Sequence, residues 1–152
     1  MSNIVPFEIT LHVRDSCLCL HAQRAARALA RRFDDVLRPA GLTNQQFSLL
    51  MALNRPNPPP LGPVAKLLAM DRTTLTAALK PLERRGLVCI EPSFSDRRTR
   101  LLVLTGAGSE ALAAALPIWR ETHAAIEAEL EAQRKGFDPD TLRAALHLIS
   151  GL

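Results

Sequence analysis

The chain has no tyrosine, one tryptophan and five phenylalanines in 152 residues. Aromatics make up 4% of it, which excludes the ring-stacking platform that single-stranded nucleic-acid binders use. Its three cysteines are an odd number, which argues against a disulfide scaffold and for reduced thiols. No uninterrupted apolar run reaches the ~18–20 residues that a membrane-spanning helix needs. Residues 1–10 lack a basic segment followed by an apolar core, so no secretory signal is read and the cytoplasm is the expected location. Catalytic signatures are missing as well: there is no H-E-x-x-H, no G-x-S-x-G and no phosphate-cradling glycine loop. The four histidines, His12, His21, His123 and His147, are scattered. Neither an enzyme nor a cofactor is expected. His12, Cys17, Cys19 and His21 lie close in sequence, but on one continuous helix Cys17 and Cys19 point about 200° apart. They then share neither a metal ion nor a disulfide.

What is present is an apolar fraction of 47%, ample for the core of a single subunit over 1–152, and a net charge of +4. The charge is unevenly placed. Residues 61–105 carry eight Lys/Arg against four Asp/Glu, whereas residues 106–152 carry four against seven. A phosphate-binding surface needs such local excess.

Asp71 to Gly86 reads as one helix with both ends marked. Asp71 is a good N-cap and Gly86 a good left-handed stop. Leu75, Leu79 and Leu82 recur at helical spacing and form the buried stripe. The opposite face carries Arg72, Thr73, Thr76, Ala77, Lys80 and Arg84, with Thr74 beside them. Small side chains allow close approach to a major groove, hydroxyls and arginine suit base edges, and cations suit phosphates. An ordinary solvated face has much the same composition, so the helix alone does not decide.

The residues after it do. Leu87–Ile90 and Arg100–Leu104 are short β-prone runs around a polar loop ending in Asp96-Arg97-Arg98-Thr99, which is a hairpin with a basic tip. Upstream, Leu61–Leu68 reads as a short helix, and only Ala69 and Met70 lie between it and the Asp71 cap. Helix, turn, helix, strand, basic loop, strand is the order of a winged helix-turn-helix. The expected class is mainly α with a small β-hairpin wing, with residues 42–105 as the DNA-binding region.

Asp71-Arg72-Thr73-Thr74-Leu75-Thr76, then Leu82-Glu83-Arg84-Arg85-Gly86-Leu87-Val88, then Asp96-Arg97-Arg98 leading to Leu102-Val103-Leu104-Thr105 resemble the signature of the MarR family of bacterial winged-helix transcription regulators. The wing pattern D-x-R, followed by L-x-L-T-x-x-G, carries the likeness best. The resemblance implies a homodimer that binds a palindromic operator in double-stranded DNA. In it Arg72, Thr73, Thr74, Thr76, Ala77 and Lys80 face the major groove, Arg97 and Arg98 act from the wing, and Asp96 braces Arg98. A winged fold that binds protein rather than DNA is the reading from another class. The basic, threonine-lined face argues against it.

The remaining chain reads as helices. Glu8–Arg38 is expected to be one long amphipathic helix, with Leu11, Leu18, Ala22, Ala25, Leu29, Phe33 and Val36 along one side, stopped by Pro39-Ala40-Gly41. Thr43 and Gln46 fit a capping box, with Leu42 and Phe47 at staple spacing, for a helix ending near Asn54. Pro56–Pro60 reads as a stiff, helix-free linker. Thr105 caps a helix reaching about Lys135, which Pro117 is expected to kink. Asp138-Pro139 opens the last one. These helices expose more apolar surface than one small winged unit covers. The resemblance assigns 8–38 and 106–152 to dimerisation.

Two sensors are conceivable. Leu18-Cys19-Leu20 resembles the L-C-F motif of the organic-hydroperoxide-sensing branch of the family, which would make Cys19 a redox sensor. That branch surrounds its cysteine with tyrosines, and here Gln23, Phe33 and Asn44 stand at the matching places. The other sensor is a pocket for a small aromatic or phenolic effector, lined by His12, Phe47, Trp119 and His123. The pocket is the preferred reading, and the expected function is a repressor released by such a ligand.

Overall fold

A computed structural model describes residues 4–151, so residues 1–3 and 152, at the ends of the expected subunit, lie outside it. In chain order the elements are α1 (Phe7–Ser16), α2 (Leu18–Leu37), a 3₁₀ turn (Arg38–Ala40), α3 (Asn44–Leu53), α4 (Leu61–Leu67), α5 (Arg72–Arg84), β1 (Val88–Pro92), β2 (Arg100–Leu104), α6 (Gly106–Gln133) and α7 (Pro139–Ser150). The strands pair antiparallel, with Val88 opposite Leu104 and Pro92 opposite Arg100.

Local chemistry sets most boundaries. Thr43 Oγ accepts the backbone N–H of Gln46, and Gln46 Oε1 accepts the N–H of Thr43, completing the capping box of α3. Asp138 accepts the N–H groups of Asp140 and Thr141 at the start of α7. Pro117 lies inside α6, which runs unbroken as a helix across it.

The first helix departs from expectation: it is two helices. Cys17 is extended, with φ −74° and ψ 107°. Its N–H closes α1 on the Val13 carbonyl, and its Sγ accepts the Leu20 N–H at 3.4 Å to open α2. The helical angle between Cys17 and Cys19 therefore does not apply, because Cys17 belongs to neither helix. Pro56–Pro60 is also more than a linker. The Pro59 carbonyl accepts the Leu102 N–H at 2.9 Å and Pro60 bridges Leu101, so the prolines edge the wing's second strand. Proline lacks only the donor, and its carbonyl still pairs.

The core sits under the winged unit. Leu49 and Leu50 of α3, Leu75, Leu79 and Leu82 of α5, Val64 of α4, Val88 and Leu102 of the wing, Leu37 of α2 and Ala115 of α6 are all fully buried or nearly so. Burying each of these leucines contributes about 1.5–3 kcal/mol. The outer helices are otherwise. α7 has no buried residue, and its Leu142, Leu146, Leu148 and Ile149 are exposed, as are Phe7, Ile9 and Val13 of α1. Leu18, expected on the apolar side of the first helix, is 75% exposed within the single chain. Polar ties join α2 and α7 to α6: Arg32 of α2 grips Glu129 of α6 with both Nη atoms, at 2.7 and 2.6 Å, and Arg143 of α7 bonds Glu127 of α6.

Candidate nucleic-acid interface

The N-terminus of α5 is fixed by Asp71. Its carboxylate accepts the Thr74 N–H at 2.8 Å and the Thr74 hydroxyl at 2.7 Å. Those bonds, the backbone one first, hold the Asp71 carboxyl below the usual carboxylate range. The C-terminus is a full Schellman stop: Gly86 N–H reaches the Glu83 carbonyl, Leu87 N–H reaches that of Leu82, and Gly86 takes φ +70°. Between the ends, Arg72, Thr73, Thr74, Thr76, Ala77 and Lys80 are all exposed, while Leu75, Leu79 and Leu82 anchor the opposite face. Two threonine hydroxyls already donate: Thr74 to the cap, and Thr76 to the Arg72 carbonyl at 2.7 Å. Both retain acceptor lone pairs, and Thr76 can rotate its hydroxyl outward.

The wing is rooted by the L-T-x-x-G segment. Thr105 Oγ donates to the Gly86 carbonyl at 2.7 Å and accepts the Gly108 N–H at 3.0 Å, while Thr105 N–H reaches the Leu87 carbonyl. One threonine thus links the end of α5, the start of β1 and the first turn of α6. Gly108 packs so closely there that a Cβ would lie 2.1 Å from the Leu87 carbonyl oxygen.

At the wing tip Asp96 acts differently from expectation. It makes no ion pair with the Arg98 guanidinium. Its carboxylate instead accepts the Arg98 backbone N–H at 3.0 Å and the Thr99 hydroxyl at 3.1 Å. Ser93 N–H to the Thr99 carbonyl, and Thr99 N–H to that of Asp96, complete a pinned turn. Asp96 therefore braces the loop's backbone and leaves the Arg97 and Arg98 side chains exposed. Two further wing residues belong to this surface. Phe94 stands fully exposed at the tip. Arg100, where the tip loop enters β2, lines a hollow of about 460 Å³ together with Arg72 and Arg98. The run Arg97-Arg98-x-Arg100 was visible in sequence, but strand alternation hid the fact that its last member shares a hollow with the helix.

Of the proposed effector pocket, three members come together. Phe47 stacks on Trp119 with ring centroids 6.1 Å apart, and Trp119 stacks on His123 at 4.9 Å. Phe47 and Trp119 also line a mostly apolar hollow of about 310 Å³ with Ser48, Met51, Ala52 and Leu67. His12 is not part of it: it sits on α1, exposed, beside the Ser16 hydroxyl. Cys19 is exposed in the single chain, its Sγ accepting the Gln23 amide N–H at 3.2 Å.

Comparison with known proteins fits this geometry. Residues 42–99 match the model of the MarR family. The M. tuberculosis transcriptional regulator MosR in complex with DNA is 36% identical, with 88% of this chain and 93% of that one aligned at a TM-score of 0.73. The transcriptional repressor CouR, bound to a 23-mer duplex, is 30% identical over 91% of this chain and 95% of its own, with a TM-score of 0.76. The activatory protein BadR of Rhodopseudomonas palustris is 41% identical over 71 residues, 45% of this chain and 41% of BadR. The first curated relatives are thus matched over only about half their length or less.

Proposed function

The chain belongs to the MarR family of DNA-binding transcription regulators, and from that premise we propose that it is a dimeric repressor released from its operator by a small aromatic or phenolic effector. The matched family and relatives are regulators of transcription, not enzymes. The observation that carries the reading is the pairing of an exposed, threonine-lined α5 with a basic wing, both pinned to one core through Thr105. Thr73, Thr76 and Ala77 face the base edges, Lys80 faces phosphate, and Arg97 reaches the adjacent minor groove. Thr74, spent on the Asp71 cap, fixes the first turn and offers only its acceptor side.

A ligand seated on the Phe47–Trp119–His123 stack contacts α3, which carries the winged unit, and α6, which anchors the terminal helices. It releases DNA by binding the unproductive spacing of the two recognition helices more tightly than the productive one. Repression itself is the reading taken from CouR, which bears that name.

Exposed Cys19 supports a second switch, oxidation of its thiolate. Gel shift against the region upstream of the chain's own gene, with and without cumene hydroperoxide, separates the two. The expected result is that wild type and Cys19→Ser both hold DNA in peroxide and both release it to a phenolic acid or its thioester. Release of wild type but not of Cys19→Ser by peroxide would overturn the ligand as sole switch.

The wing makes its own prediction. Arg97→Ala should weaken binding to operator and to random DNA alike and lower the salt slope by about 1. An unchanged slope in anisotropy titrations would remove Arg97 from the interface.

A further inference from the structure

Phe94 is the only apolar residue in the stretch 93–100, and its side chain is fully exposed at the tip of the wing. The other large apolar residues left exposed among the described residues lie on or beside α1, α2, α6 and α7, or line the Phe47–Trp119 hollow. A second copy and an effector account for those places, but not for the wing. A lone exposed phenyl is ordinary on a protein surface. The loop that carries Phe94 is what sets it apart. The hydroxyls of Ser93 and Ser95, on either side of it, are bonded to each other at 3.1 Å. Ser93 N–H reaches the Thr99 carbonyl at 2.8 Å, and Thr99 N–H reaches that of Asp96 at 2.9 Å. Phe94 thus crowns a loop that is closed at its base and whose backbone is already ordered. The one carboxylate of 93–99, Asp96, is turned inward on the Arg98 N–H and the Thr99 hydroxyl. Arg97 and Arg98 are left exposed three and four residues on.

An apolar ring on a braced loop, bordered by free cations, suits a polyanion with an apolar interior. Duplex DNA is one: phosphates line its minor groove, and stacked bases lie between them. A phenylalanine inserted between base pairs from the minor groove unstacks the step and kinks the duplex toward the major groove. The cost of unstacking is lowest at pyrimidine–purine steps, TA and CA/TG. A loop that needs no further ordering adds little cost of its own.

We propose that Phe94 is a wedge that enters one base step from the minor groove at each wing, unstacking it and kinking the operator. The wedge rests on the DNA-binding reading and adds an activity to it: the protein deforms its DNA. Under each wing it reads deformability, not base edges. A flexible pyrimidine–purine step is then preferred at a position that no side chain reads by hydrogen bonds. Arg97, in the same groove, supplies charge, and Phe94 supplies shape.

The test uses the full-length protein and duplexes from the upstream region, with 2-aminopurine in place of one adenine at a time and dyes at the two ends. With wild type, fluorescence should rise at one step under each wing, and energy transfer should show the ends drawing together. Phe94→Ala should abolish both signals and lose about tenfold in affinity. Its salt slope should stay that of wild type, in contrast to Arg97→Ala. Phe94→Leu should keep both signals, since leucine also serves as a wedge. Circular dichroism melts of both variants should match wild type, because the side chain is fully exposed. Equal 2-aminopurine signals for wild type and Phe94→Ala, or no signal from a duplex that wild type holds, would overturn the wedge and leave DNA binding standing. Unchanged affinity for Phe94→Ala would place the ring against something other than DNA and overturn it too. Absence of wild-type binding to operator and random duplexes alike would overturn the DNA reading, and the wedge with it.

Discussion

Gly108→Val should cost the protein its winged unit. A β-carbon at position 108 would stand 2.1 Å from the Leu87 carbonyl oxygen and 2.7 Å from Leu104 Cδ1. The first contact is with backbone, so no rotamer change relieves it. Relief requires moving the first turn of α6 away from β1. That motion breaks the Thr105 bonds to the Gly86 carbonyl, the Leu87 carbonyl and the Gly108 N–H, which tie α5, β1 and α6 together. It also opens the packing around Leu87, Val88 and Leu112, all buried. The loss should exceed about 4 kcal/mol, the range reserved for overpacking against a fixed backbone or loss of a network. Thermal melting followed by circular dichroism should show a collapse in melting temperature. A melt within a few degrees of wild type would mean that this junction yields more easily than its geometry states.

The second large effect concerns assembly. Leu142→Asp with Leu146→Asp should convert a dimer into a monomer. α7 has no buried residue and exposes Leu142, Leu146, Leu148 and Ile149, and α1 likewise exposes Phe7, Ile9 and Val13. An apolar surface of this extent on two helices is what a second copy covers. The substitutions touch no core residue of the winged unit, so each monomer should stay folded. Affinity for a two-half-site operator should fall about 10²–10⁴-fold, the factor lost when the second recognition helix is no longer tethered. Light scattering with anisotropy reads both. Wild type running as a folded monomer at micromolar concentration would remove the dimer, and an unchanged operator affinity for the double variant would remove the tether.

Much of this architecture is legible in the chain because its helix ends are chemically explicit. Asp71, Thr43 with Gln46, Thr105, and Asp138 with Pro139 each take up free N–H groups where their residue types announce it. The outward face of α5 is legible for another reason: the stripe of Leu75, Leu79 and Leu82 fixes its rotation. The break at Cys17 is not. The apolar spacing runs on through it, no glycine or proline marks it, and a thiol is an unusual cap. The pairing of Pro59 was hidden because proline announces a missing donor but not a used carbonyl. Asp96 was expected to hold Arg98 by charge, but a carboxylate on the first residue of a tight turn finds the N–H two residues on first. The Arg72–Arg98–Arg100 grouping depends on how the hairpin folds back over α4, which sequence spacing does not encode.

Reading of a two-fold DNA site by α5 and the wing is tested most directly by selection of bound duplexes from a random library. The expected result is an inverted repeat with half-site centres about 10 base pairs apart, bound by two protomers. Its affinity should exceed that for random duplex by about 10³-fold or more and fall steeply between roughly 50 and 200 mM salt. A selected pool with no repeated motif, or equal affinity for selected and random duplexes, would contradict it.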